Sequence, residues 1–249
     1  MCKFFSLVSK GDGVAMYFDY KIRKQILNKK LNYELDSHTS IADYFSYKAE
    51  KEDKLNKYEY NPLTKVFTID QLNTYDDSKK IEKFCNELDF KLIVPELIIK
   101  PIIRPFKDRQ CLEVTKDDLK LLKKWASVWD SVRDSVWDSV RDSVWDSVEA
   151  SVGASVWASV RDSVRDSVWD SVWDSVWDSV RDSVWASVGD SVWAYYGSFI
   201  DIKYKYNLKP AQELWEKGLV PAYNSKDKIW YLCGANGKIV WQGKISNIK

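Results

Sequence analysis

Few residues in this chain carry the chemistry of catalysis at neutral pH. His38, in the run Asp36-Ser37-His38-Thr39-Ser40, is the sole histidine of 249 residues, so it is the obvious proton shuttle. Cys2 becomes the amino-terminal residue if Met1 is removed, and a thiol beside its own α-amine can act as a nucleophile. Glu52, Asp53, Glu59 and Asp70 are carboxylates of the kind that hold magnesium, but their spacing follows no metal-binding pattern. There is no phosphate-binding glycine loop, dinucleotide fingerprint, zinc-ligand spacing or serine-centred hydrolase elbow. Ordinary readings stand beside each candidate: a surface or turn histidine, an incidental thiol and solvated carboxylates. No cofactor is implied.

The elements that would position such residues begin with a tandem repeat. Residues 125–196 divide into eighteen four-residue units of the form x-Asp-Ser-Val, whose variable first position holds ten Trp, five Arg, two Gly and one Glu. Trp, Arg and Gly share NGG codons, and Asp and Ala differ by one base. Slippage of a 12-base DNA repeat therefore accounts for part of the pattern. In an α-helix at 100° per residue a unit advances 400°, so each Val drifts 40° from the last and no fixed apolar face results. A flat strand puts Asp with Val on one face and Trp with Ser on the other.

A square β-solenoid with four units and 16 residues per coil resolves the conflict by turning Val inward and the variable residue outward. Positions 16 apart then stack, and one column reads Arg133, Glu149, Arg165, Arg181, which places the single Glu between arginines. The expectation is therefore an α+β protein with a central tetrapeptide-repeat β-solenoid, with a long α-helix through the repeat as the alternative. The repeat resembles the pentapeptide-repeat proteins, whose square coil has five-residue sides. Here each unit is one residue shorter and Val replaces the usual Leu or Phe.

The flanks differ in composition. Residues 1–114 read as an α+β domain: a hairpin over residues 3–8 and 14–20 about Lys10-Gly11-Asp12-Gly13, a strand at 66–69, a helix at Ser78–Glu87, and an apolar edge segment at 92–103 punctuated by Pro95 and Pro101. Residues 115–124 read as a capping helix. Residues 197–249 read as a small C-terminal α/β cap, with a helix at 210–217 and a hairpin formed by Ile229–Cys233 and residues 238–243. MCKFFSLVSKGDG, DSHTSIADYF, EDKLNKYEYNPLTKVFTIDQLN and VPELIIKPII, followed by the repeat, are similar to a group of uncharacterised bacteriophage and metagenomic proteins. That resemblance implies a setting but no activity.

Charge selects among functions. Lys plus Arg number 38 and Asp plus Glu 37, so no chain-wide field for polyanions exists. The repeat alone carries five Arg against twelve Asp and one Glu, which disfavours extended nucleic-acid binding on it. A solenoid core filled by Val leaves Trp125, Trp129, Trp137, Trp145, Trp157, Trp169, Trp173, Trp177, Trp185 and Trp193 to form exposed stripes, interspersed with Arg133, Arg141, Arg161, Arg165 and Arg181. The leading expectation is a non-enzymatic scaffold that presents these columns to a protein partner or to itself. The alternatives are an enzyme in the first domain using Cys2 or His38, and a DNA mimic that occupies a DNA-binding enzyme, as some pentapeptide-repeat proteins do. No stretch approaches a membrane span and the four Cys are far apart, so the expected setting is the cytoplasm, that of a host cell if the gene belongs to a phage.

Overall fold

A computed structural model describes residues 5–45, 52–132, 162–163, 185–201 and 206–248. They fall into two compact units, divided after residue 101. Each is a mixture of helices with one small antiparallel sheet.

In the first unit, β1 (Phe5–Ser9), β2 (Asn56–Asn61) and β3 (Val66–Gln71) form a sheet in that order. Tyr58 opposes Leu7 on one side and Ile69 on the other. β2 is central, and Tyr58 and Tyr60 are buried there with Lys57 and Glu59. Asn61 closes the β2–β3 turn, since its side-chain oxygen accepts from the backbone N–H groups of Leu63 and Thr64. α1 (Tyr20–Lys29), α2 (His38–Tyr44), α3 (Ser78–Glu87) and the short α4 (Phe90–Ile93) complete the unit. Val8, Phe18, Ile26, Ile41, Ala42 and Leu55 form a shared core, with Phe18 edge-on to Tyr44. The expected hairpin is only half made: β1 forms, but residue 16 meets Val8 in an isolated bridge and the chain turns into α1 at Tyr20. Of the segment 92–103, expected as a strand or a packed extended run at an edge, Leu92 and Ile93 lie in α4 and the residues from Pro95 on form no strand.

The second unit holds α5 (Lys116–Val132), α6 (Trp185–Gly197), α7 (Lys209–Glu216) and the sheet β4 (Val220–Asn224), β5 (Ile229–Cys233), β6 (Ile239–Gly243). Thr115 and Asp118 cap α5 reciprocally: Asp118 accepts from the Thr115 N–H, and the Thr115 hydroxyl oxygen accepts from the Asp118 N–H. Lys217 closes on the same carboxylate at 2.6 Å. Tyr195 of α6 stacks on Trp215 of α7 with ring centres 5.2 Å apart. Two residues past α7, Gly218 has φ 83°, and an added Cβ there would meet the Arg109 Cβ at 2.6 Å.

These helices overturn the solenoid. The repeat units at 125–132 lie in α5, and residues 185–196 lie in α6. Among the described residues of the repeat there is no coiled β-structure, and its two described ends belong to two separate helices. The 40° drift per unit defeats an apolar face only over many units. Across two units Leu122, Trp125, Ala126 and Trp129 still share one side of α5, and all four are buried. The repeat between these ends, including the column Arg133, Glu149, Arg165, Arg181, lies outside the described residues, apart from residues 162–163. No helix among the described residues is long and apolar enough to cross a membrane.

Candidate functional site

α1 is amphipathic with an unusual polar side. Asp19 caps its start, accepting from the Ile22 N–H at 2.9 Å. Ile26 and Arg23 are buried, whereas Lys21, Lys24, Gln25, Asn28 and Lys29 are exposed. Lys30 ends the helix in the left-handed conformation, and the Leu31 N–H reaches back to the Ile26 carbonyl at 3.0 Å. No Asp or Glu occurs from residue 20 to residue 33.

The one cation of this helix that faces inward is neutralised. Arg23 pairs with the buried Asp36 at 2.5 Å, donates from Nε to the Phe18 carbonyl at 2.9 Å, and lies over the Phe5 ring. Its Nη1 has no hydrogen-bond partner. Removing either member of a buried pair costs about 3–5 kcal/mol, so this contact fixes the rotation of α1 and hence which residues face solvent.

A second polar cluster is structural in character. The buried Asp77 carboxylate accepts from the hydroxyls of Ser9 and Tyr58, the Gly13 N–H at 2.7 Å and the Asn56 amide at 3.1 Å. Burial pushes this carboxyl up, but the four donors outweigh it and hold it below the ordinary carboxylate value. Burial, followed by the bond to Asp77, pushes the Tyr58 phenol up. The cluster ties β1, β2 and the 10–13 loop to the start of α3, and its donors are spent on that task.

Of the residues singled out from sequence, only His38 and Asp70 meet among the described residues. His38 is buried at the start of α2; its Nε2 lies 3.0 Å from the Tyr58 carbonyl, which accepts only if Nε2 carries the proton. Its Nδ1 lies 3.7 Å from the exposed Asp70 carboxylate. Cys2 lies outside the described residues. Glu59 is buried in β2 and Asp53 is exposed; no cluster among the described residues could hold a metal ion.

Trp125 and Trp129 are 1% and 5% exposed, so they build the core of the second unit instead of a display wall. Trp129 packs on Tyr223 and edge-on to Trp230, and its Nε1 donates to Asp190 at 2.8 Å. Burial pushes the Asp190 carboxyl up to about 6 despite that bond. Trp193 is half-buried against Tyr196, and Trp185 lies at the start of α6. Trp137, Trp145, Trp157, Trp169, Trp173 and Trp177, with Arg133, Arg141, Arg161, Arg165 and Arg181, lie outside the described residues.

No family model, curated protein or solved structure matches this chain. The resemblances to phage proteins and to pentapeptide repeats therefore have no support, and the second also fails on the helices above. The scaffold and DNA-mimic readings both required a solenoid rod with outward columns. Helical ends with inward tryptophans remove that basis, and with it the proposed partner surface on the repeat.

The α1 face was missed because charge was weighed over whole segments. The available signal was local: Lys21, Arg23, Lys24, Lys29 and Lys30 with no acid among them.

Proposed function

We propose that the first unit binds nucleic acid through the solvent face of α1. What carries this reading is a rigidly capped helix whose exposed side bears Lys21, Lys24, Lys29 and, at its end, Lys30, with no carboxylate in residues 20–33. A net charge of +1 over the chain does not oppose it, because screening over about 8 Å at physiological salt makes the local face decisive. Among the described residues Lys21 and Lys29 form no ion pair, and Lys24 rests on the Tyr20 ring. Their charge is therefore available to phosphates. The role is one of binding, with no reaction assigned. It is set in the cytoplasm, a location supported by the free thiols of Cys85 and Cys233.

Fluorescence anisotropy with labelled duplexes over a range of salt tests it. Four phosphate contacts give a slope of log K against log salt of about −3 to −4. Lys21→Ala with Lys24→Ala lowers the slope by about 2. Absence of binding at low salt, or a slope unchanged in the double variant, defeats the proposal. Anionic vesicles provide the contrasting arm, and a preference for them over duplex also defeats it.

A further inference from the structure

Resting on that reading, we infer that α1 enters the major groove of B-form DNA and that Gln25 and Asn28 read adenine there. Taking Lys21 as the origin and 100° per residue, Asn28 lies at about −20° and Gln25 at about +40°, with Lys24 at about −60° and Lys29 at about +80°. The middle of the exposed arc thus holds the two amides with Lys21 between them, about one turn nearer the helix start than Gln25, and Lys24 and Lys29 border it. The two amides can reach base edges from there, while Lys24 and Lys29 reach the two phosphate walls and Lys21 a phosphate at the entry to the groove.

Neither amide has a structural task. Gln25 and Asn28 are exposed and make no hydrogen bond among the described residues, whereas Asn56, Asn61, Asn73 and Asn86 are all engaged. A carboxamide presents one donor and one acceptor side by side, which matches the N6 amino group and N7 of adenine and no other base edge as well. The ten residues of α1 span about 15 Å, and the major groove, about 12 Å wide, admits an α-helix. The deep, narrow major groove of duplex RNA does not, so the fit selects DNA. An acidic membrane surface would use the lysines but gives no role to the amides, and the middle of the arc offers no apolar side chain to insert.

The experiment uses the full chain and a randomised DNA duplex pool, with the enriched duplex then remade with 7-deazaadenine, which removes the N7 acceptor. Enrichment of adenine-containing sites is expected. Each of Gln25→Ala and Asn28→Ala lowers the preference about tenfold while leaving the salt slope unchanged, and 7-deazaadenine abolishes it. Circular dichroism checks that these surface variants stay folded. Salt-dependent binding without base preference overturns the inference and leaves the proposed function standing, as does equal affinity for duplex RNA. A preference that survives 7-deazaadenine also overturns it, because the reading is then not at N7. No duplex binding at all overturns both.

Discussion

α1 and the two repeat-end helices α5 and α6 use residues that look like surface chemistry in opposite ways. In α1 the lysines and amides remain in solvent, because a buried Arg23–Asp36 pair and Ile26 fix the helix from below. In α5 the repeat tryptophans turn inward, since Trp125 and Trp129 are buried; in α6 the buried residues are Val188, Val192 and Tyr195, while Trp193 is half-buried. The difference lies in what each helix can exclude from water. α1 has one narrow apolar stripe, whereas two Trp four residues apart in α5, and the Val and Tyr positions of α6, supply enough area to organise a core around themselves. Tryptophan content in a repeat is therefore a statement about burial first, and about display only where no second element covers it.

The sharpest way to break this contrast is Trp129→Ala. A ring 5% exposed against Tyr223 and Trp230 costs about 3–5 kcal/mol when truncated, and the same change on an exposed docking wall costs less than about 0.5 kcal/mol. Urea unfolding of the full chain separates the two outcomes. A value near zero returns Trp129 to the surface and reverses the contrast.

Asp190 sharpens it by charge. Its carboxyl, raised from 3.8 to about 6, binds a proton in the folded state at pH values where the unfolded chain has released it. The stability it contributes is complete below about pH 4 and is lost as pH rises through about 6, for a total of roughly 3 kcal/mol. Asp77 and Asp118 act in the opposite direction, since their lowered values make stability fall at acid pH. The difference between wild type and Asp190→Asn isolates the buried group: the Asn variant gains stability relative to wild type from pH 4 to pH 7 and keeps an acceptor for the Trp129 N–H. Parallel pH profiles of the two proteins mean that Asp190 is solvated and the repeat-end helices are not packed as described.

Much of the regular structure was legible because it depends on local chemistry. The periodic apolar residues of α3, with Ile81 and Cys85 inward, and the hairpin flanking Gly234 to Gly237 can be read from spacing alone. β2 was not, since Asn-Lys-Tyr-Glu-Tyr-Asn alternates polar and aromatic residues in a strand that is buried on both faces. Its Lys57 and Glu59 are tolerated by neighbours far away in sequence. The repeat misled for a different reason. Its near-perfect period invited a periodic architecture, although two units at its start join α5, whose other residues are not repetitive, and three units at its end form α6, where the altered last unit supplies Tyr195 to the core. At the candidate site, the acid-free lysine run was visible, but its orientation was not. The Arg23–Asp36 pair joins residues 13 apart and decides which lysines face outward.

The smallest effect expected comes from Lys30, where stability and binding part company. Its φ of 48° and ψ of 45° are left-handed, a conformation that costs a residue with a Cβ about 1 kcal/mol and that glycine adopts freely. Lys30→Gly therefore stabilises the first unit by up to about 1 kcal/mol, because the turn closing on Ile26 is retained and the strain is relieved. The same change removes one cation from the end of the basic face, so the salt slope for duplex binding falls by about 1. Unfolding and anisotropy on one variant then report opposite signs. A protein that is more stable yet binds with an unchanged slope shows that the face ends before Lys30, at Lys29. One that is less stable shows that the Lys30 side chain is held by contacts worth more than the backbone strain.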